Sequence, residues 1–153
     1  MFGKMKKIAS LSPRELLFVL RAALLLPVVA SMLRIKGFNW TRSHVQGKRS
    51  KQIPTDRSDQ LAAAENITRL VFLTTNNLPF KAKCLKRCLV SQWILSAKGI
   101  RADLIIGVNK DGADLDAHAW LELDGKVLHE SQNTRDGYKV MGIGFGDANI
   151  QNG

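Results

Sequence analysis

The hydrophobic pattern of this chain changes its period after Gly99, and that change limits the fold more than any other feature of the sequence. Upstream of Gly99, three segments have the composition and punctuation of helices. Downstream, "RADLIIGVN", "AHAWLEL" and "KVLHES" have the pattern of strands, and "YKVMGIGF" is a weaker fourth candidate. Helices followed by antiparallel strands predict an α+β fold in which a helix packs on a small antiparallel sheet.

The helix boundaries are marked by capping residues. Ser12, Pro13 and Glu15 form a capping-box sequence, and that first helix is predicted to end near Gly37. A second helix is predicted from a cap at 56 or 58 to the stop signal "NNLP" at 76–79. A third helix is predicted from about residue 82 to 98, with Gly99 as its C′ residue.

The polar, basic and turn-prone stretch 38–58 predicts a linker. A chain of 153 residues is long enough for one domain with a modest extension. The sequence therefore predicts a basic helical N-terminal extension and linker over 1–55 and a core domain over 56–153. "KDGADLD" is predicted to be a loop, and "DG" at 124–125 the turn of a hairpin.

The net charge of +10 is concentrated at the N-terminal end. Residues 1–60 contain twelve Lys and Arg against three Asp and Glu, whereas residues 101–153 contain five against nine. Such asymmetry suits an acidic partner, an anionic membrane surface or nucleic acid, and equally a solvated basic face. Because Phe38 and Trp40 are the aromatic residues near the linker, base stacking is poorly supported, and no nucleic-acid partner is expected.

The apolar segment 14–37 raises the question of a membrane. Its longest uncharged run, Ala22–Leu33, has 12 residues, against the roughly 20 that a spanning helix needs. Glu15 and Arg21 interrupt it, which disfavours a signal peptide, and Pro27 predicts a kink. The prediction is a kinked helix packed on the protein or a partner, with interfacial membrane contact as the alternative.

Two cysteines open the third predicted helix, and both are predicted to be reduced. Cys84 lies in the first turn, close in sequence to four cations, Lys81, Lys83, Lys86 and Arg87. A helix N-terminus and nearby cations favour the thiolate, which is the nucleophilic form. The alternative is a small core residue, and for Cys88, one turn further along, that alternative is favoured.

His118 is predicted near the start of a strand, where its imidazole can face a packed helix and serve a nucleophilic cysteine. Glu122 and Asp124 lie too far along the same strand to orient the ring. Glu130, on the returning strand, pairs with His118 if the hairpin loop has three residues, 123–125. A two-residue turn at 124–125 would instead pair His118 with Ser131 and send Glu130 to the other face, so a role for Glu130 as the orienting group predicts the three-residue loop. His44 is predicted to lie on the surface.

A zinc site is the rival interpretation of the same region. Cys84, Cys88, His118 and His129 are ligands of suitable type. However, a C-x₃-C pair on a helix with ligands from two distant strands matches no common structural zinc pattern. No metal or other cofactor is therefore predicted.

Taken together, these motifs resemble the transglutaminase-like cysteine peptidases of lasso-peptide biosynthesis, called B-proteins. The resemblance covers residues 84–130 and rests on "CLKR", a Gly-Ile helix end at 99–100, "IGV" at 106–108, "AHAW" at 117–120 and the acid at 130. Two positions depart from the family: Cys88 replaces a small Ser or Ala, and Glu130 stands where Asp is more usual. The resemblance implies that residues 56–153 are a transglutaminase-like, papain-like peptidase core with a Cys84–His118–Glu130 triad.

The resemblance also implies a function: removal of the leader from a ribosomally synthesised lasso precursor peptide, in antibiotic biosynthesis. Because residues 1–80 show no strand pattern, the chain resembles the split form of the family. That form implies a separate leader-binding winged-helix protein and an ATP-dependent lasso cyclase. A cytoplasmic location is expected, and the charge and amphipathicity of the N-terminal segment suit docking of the leader-binding protein or peripheral membrane contact. Two alternatives stay open: a transglutaminase-fold hydrolase or acyltransferase acting on another peptide, and a non-catalytic basic adaptor.

Overall fold

Four helices precede a four-stranded antiparallel sheet in the computed structural model, which describes residues 11–46, 56–77, 83–111 and 114–141. The helices are α1 (Pro13–Lys36), α2 (Phe38–Gln46), α3 (Arg57–Asn77) and α4 (Cys84–Ala97). The strands are β1 (Asp103–Asp111), β2 (Asp114–Leu123), β3 (Lys126–Val127) and β4 (Lys139–Val140), in the spatial order β3-β2-β1-β4. A 3₁₀ helix, Gln132–Gly137, precedes β4. The predicted α+β class is confirmed.

The capping signals predicted the ends of two helices correctly. At the start of α1, the Glu15 amide donates to Ser12 Oγ at 3.3 Å and the Ser12 amide donates to Glu15 Oε2 at 3.0 Å, so the capping box forms. At the end of α4, Gly99 has φ 77°, and the Ile100 amide donates to the Leu95 carbonyl at 3.0 Å. This is a Schellman arrangement, which glycine favours because it adopts positive φ without strain.

The prediction of a linker is wrong over its first part, because Phe38–Gln46 form α2. Tertiary contacts stabilise this polar helix: Thr41 and Val45 are buried, and Ser96 Oγ of α4 donates to the Gln46 carbonyl at 2.7 Å. Residues 47–55 of the predicted linker lie outside the described residues. So do the predicted stop at 78–79, Lys81 and the predicted start of α4 at residue 82.

The main hydrophobic core lies between the helices and one face of the sheet. It joins Leu26 and Val29 of α1, Leu89 of α4, and Ala119 and Leu121 of β2 in a single cluster of buried side chains. Alternating residues of a strand point to opposite faces, so the residues between these on β2 face away from the helices. The division of the chain at 55/56 stays a prediction.

The strands β1 and β2 form a longer ladder than predicted. They pair from Asp103 with Glu122 to Asp111 with Asp114, so the predicted loop "KDGADLD" is wrong except at residues 112–113, which lie outside the described part. The weak last strand is confirmed as β4, which pairs with β1 through Gly107 and Val140. Its predicted continuation beyond residue 141 lies outside the described residues.

Gly107 allows close packing on the face of the sheet that points away from the helices. A Cβ atom at this position would lie 2.6 Å from Tyr138 Cβ and 2.8 Å from the Trp120 ring. Since real Cβ atoms do not approach other atoms so closely, the absence of a side chain lets Tyr138 and Trp120 pack over β1. His118 lies two residues before Trp120 on β2, so its side chain points to the same face.

Candidate active site

The structure brings two of the predicted site residues, His118 and Glu130, into direct contact. His118 Nε2 lies 2.7 Å from Glu130 Oε2, and the two side chains are 26% and 17% exposed. An ionised carboxylate can only accept a hydrogen bond, so Nε2 carries the hydrogen and donates it. Nδ1 is then the nitrogen that is left to act as a base.

The hairpin that carries this pair differs from the prediction. β2 pairs with β3 through Leu123 and Lys126, so the turn has two residues, and the predicted three-residue loop is wrong. Asp124 has φ 52° and Gly125 has φ 80°, the positive angles of a type I′ turn. In this register an uninterrupted ladder would place Ser131 opposite His118.

Glu130 reaches His118 because the ladder stops early. The Leu128 amide still donates to the Leu121 carbonyl at 2.9 Å, but the next residue, His129, has φ 59°. A single residue in the left-handed region turns the chain sharply. The three-residue loop was the wrong reason to expect Glu130 beside the imidazole. The turn of the chain at His129 brings Glu130 to His118 instead.

Helix α3 holds His129 in this unusual conformation. The His129 amide donates to Glu65 Oε2 at 2.9 Å, and its ring packs on Phe72 with centroids 4.6 Å apart. Burial lowers the pKa of His129, which favours the neutral ring in this contact. Glu65 and Phe72 were not identified from the sequence, because they precede His129 by 64 and 57 positions and no local pattern links residues so far apart.

Cys84 is the first residue of α4 and is partly buried. The N-cap residue is Lys83, whose side chain has no acceptor to offer to the first amides of the helix. One turn along, the Arg87 guanidinium lies 4.9 Å from the centre of the Phe72 ring and donates to Asn76 Oδ1 at 3.2 Å. These contacts fix the start of α4 against the helix that also holds His129.

One hydrogen bond joins α4 to β2 next to His118. Cys88 Sγ donates to the carbonyl of Ala119, the neighbour of His118, at 3.3 Å. The pKa of Tyr138 is raised, first by its hydrogen bond to Asp116 and in smaller part by the charges of Cys84 and Glu130. Among the described residues, the hydrogen bonds include none between Cys84 and His118, so the pairing of these two side chains stays a prediction.

Tyr138 and Trp120 form an aromatic wall beside the imidazole. The His118 ring centroid lies 5.4 Å from that of Tyr138 and 6.0 Å from that of Trp120. Tyr138 Oη donates to Asp116 Oδ2 at 2.7 Å, which ties the 3₁₀ helix end to β2. Tyr138 was missed in the sequence, although it is the single tyrosine of the chain and opens the predicted last strand.

The two cysteines are expected to differ in alkylation by iodoacetamide at neutral pH. Cys88 is buried, and burial raises its pKa well above the ordinary value, with the nearby charges of Cys84 and Glu130 adding to the effect. Peptide mapping by mass spectrometry should find the label on Cys84, with Cys88 modified only after denaturation. Preferential labelling of Cys88 in the folded chain would contradict this assignment.

Three of the four residues of the alternative zinc site are used in other contacts. His118 contacts Glu130, His129 packs on Phe72, and Cys88 donates to a carbonyl. Within the described ranges, no three His, Cys, Asp or Glu residues are grouped as metal ligands. His44 lies on the surface in α2, stacked on Trp40 with centroids 4.9 Å apart.

Comparison with known proteins supports the resemblance noted in the sequence. The model of the transglutaminase-like superfamily matches residues 23–142. The microcin J25-processing protein McjB of Escherichia coli is 28% identical over 106 residues, which are 69% of this chain and 48% of McjB. The chain thus spans about half the length of this curated relative. No solved structure gives a significant match. Because the family match covers most of the chain, and includes Cys84, His118 and Glu130, this protein belongs to the transglutaminase-like superfamily.

Proposed function

We propose that this protein is a cysteine peptidase that removes the leader from a ribosomally synthesised lasso precursor peptide. The observation that carries the proposal is the 2.7 Å contact between His118 Nε2 and Glu130 Oε2, and Glu130 lines one small cavity together with Cys88 of the helix that begins at Cys84. An imidazole oriented by a carboxylate, near a cysteine at a helix N-terminus, is the constellation of acyl transfer by a thiolate.

In the proposed mechanism, Nδ1 of His118 takes the proton of the Cys84 thiol. The thiolate attacks the carbonyl carbon at the leader–core junction, and a carbon–sulfur bond forms. The carbon–nitrogen bond then breaks as the imidazolium gives its proton to the departing core amine. Water, deprotonated by His118, attacks the acyl-enzyme, which releases the leader with a free carboxylate and regenerates the thiol.

The start of α4 supplies a natural donor for the oxyanion of this reaction. The Lys86 amide already donates to the Lys83 carbonyl at 3.0 Å, but the Cys84 amide, at the first helical position, has no preceding turn to bind, and Lys83 provides no side-chain cap. We assign the backbone amide of Cys84 as one oxyanion donor, because the helix dipole and the amide both favour negative charge there. In the proposed site the Cys84 amide and the oriented imidazole serve the same reacting carbonyl.

The proposed substrate and partners rest on the resemblance to the lasso-peptide B-proteins and on the curated relative. The curated relative is named for processing microcin J25, which supports a peptide precursor as the substrate class. In the proposed pathway a separate winged-helix protein presents the leader, and an ATP-dependent lasso cyclase takes the freed core N-terminus. We propose that leader removal and cyclisation both take place in the cytoplasm.

The test is incubation of the purified chain with a candidate lasso precursor, with and without its leader-binding protein, followed by mass spectrometry. We expect two fragments, a leader with a free carboxylate and a core with a free amine, formed faster when the leader-binding protein is present. A matched precursor with a scrambled leader provides the control.

An intact precursor in every mixture would contradict the proposal. A leader joined to an added primary amine, with little hydrolysis, would favour the alternative acyltransferase. The Cys84 assignment alone would survive that second outcome, since both reactions pass through the same acyl-enzyme.

A further inference from the structure

Helix α1 exposes a continuous aliphatic stripe that the protein itself does not cover. Leu17 is 67% exposed, Leu24 is 64% exposed and Ile35 is 75% exposed, with Leu20 and Val28 exposed between them. At 3.6 residues per turn these five side chains fall within an arc of about 80° on the helix surface. Monomeric proteins rarely leave so large an apolar surface in water without a use for it.

The opposite face of α1 is part of the folded core. Ala22, Leu26 and Val29 are almost fully buried and share one cluster with α4 and the sheet. Among the described residues, α1 is the helix that is long and apolar enough to cross a membrane, yet spanning would pull these core side chains out of their packing. The aliphatic stripe is therefore suited to lie on a membrane surface and not to cross it.

Exposed cations flank the aliphatic stripe. Arg14 and Arg21 lie along its N-terminal half, and Arg34 and Lys36 lie near its C-terminal end. The carboxylate of Glu15 is turned to the protein, where it pairs with Arg69 of α3 at 2.9 Å. The aliphatic stripe and its flanking cations complement a bilayer of anionic lipids, whose interior is apolar and whose headgroups are negatively charged.

The end of the aliphatic stripe carries further features of a lipid-facing surface. Val28, Met32 and Ile35 of α1 and Trp40 of α2 line an open, almost wholly apolar groove of about 490 Å³. Lys36 stands at its rim, with Nζ 5.9 Å from the centre of the Trp40 ring. A tryptophan beside a lysine is typical of the boundary between acyl chains and headgroups.

We propose that α1 docks this protein on the surface of an anionic lipid bilayer, with the aliphatic stripe in the acyl region and the flanking cations at the headgroups. A second copy of the chain is a weaker occupant, because pairing two stripes would bring Arg14, Arg21, Arg34 and Lys36 of both copies together. The proposal concerns location and does not depend on the peptidase activity.

The test is flotation of the full-length chain with vesicles of phosphatidylcholine, either pure or containing about 30% phosphatidylglycerol, at low and high salt. We expect binding to the anionic vesicles that weakens at high salt. The triple variant Leu17→Gln, Leu20→Gln, Leu24→Gln should bind about tenfold or more weakly, since it removes exposed apolar area without touching the core. Glutamine is chosen because it is compatible with a helix.

The matched control is Leu115→Gln on β2, where an equally exposed leucine (70%) lies outside the aliphatic stripe. This variant should bind vesicles like the unmodified chain, and circular dichroism should show all variants folded. Equal binding by the triple variant, or no vesicle binding by the unmodified chain, would overturn the proposal. The proposal would also be overturned if sedimentation showed that the unmodified chain is a dimer and the triple variant a monomer, because a second copy would then cover the aliphatic stripe.

Discussion

Replacing Cys84 by alanine is expected to abolish precursor cleavage, with kcat lowered by about 10⁴-fold or more. The physical reason is that the Cys84 thiolate forms the covalent bond to the scissile carbonyl in the proposed mechanism. His118→Ala should lower kcat by about 10²–10⁴-fold, because both proton transfers of the proposed mechanism pass through this imidazole. The measurement is the rate of appearance of the core fragment at saturating precursor.

The control for this prediction is Cys88→Ser, one helical turn away. Cys88 donates to the Ala119 carbonyl at 3.3 Å, and a serine hydroxyl can donate to the same acceptor. Cleavage should therefore persist in Cys88→Ser, although some stability is lost because a hydroxyl is more costly to bury than a thiol. Activity that disappears with Cys88 and survives the loss of Cys84 would overturn the assignment of the nucleophile.

The helix ends were predictable because their determinants are local. The Ser12–Glu15 capping box and the glycine at 99 act within four residues of the ends they define, and the structure has both. The helical character of 38–46 was not predictable in this way. This stretch is polar, and the contacts that hold it, such as the bond from Ser96 to the Gln46 carbonyl, come from a helix 50 residues away.

The candidate site shows the same distinction between local and long-range determinants. Cys84, His118 and Glu130 stood out by residue type and by their place in the predicted elements, and the contact of the last two is observed. The turn that joins them was assigned wrongly, although "DG" favours a two-residue type I′ turn. The left-handed backbone of His129 is stabilised by Glu65, and only the folded chain brings that carboxylate close.

The turn error shows why register alone is a weak guide to an active site. In a regular hairpin with this turn, Glu130 would point to the face opposite His118. β3, however, has only two residues, and the chain leaves the ladder at residue 129. Breaks in strand pairing near active sites often redirect a side chain, and here the break directs a carboxylate to the imidazole.

The second large effect is expected for Glu130→Gln, which should lower kcat by about 10²–10⁴-fold and leave KM nearly unchanged. Glutamine keeps the size of the side chain but replaces one acceptor by an amide that donates, so it no longer enforces hydrogen on Nε2 and leaves Nδ1 less available as a base. Glu130→Asp should recover part of the activity, because it restores the charge with a shorter reach. Steady-state kinetics of precursor cleavage by the unmodified chain and the two Glu130 variants give kcat and KM for the comparison.

Asp124→Asn is the matched control, because it removes a carboxylate from the same hairpin. Asp124 has φ 52°, a conformation that asparagine tolerates well, and it forms an exposed ion pair with Arg57 at 3.2 Å. Exposed pairs contribute about 0–1 kcal/mol, so this variant should fold and cleave like the unmodified chain. If Glu130→Gln kept full kcat while Asp124→Asn lost it, the imidazole would have to be oriented from the turn, and the 2.7 Å contact would be structural only.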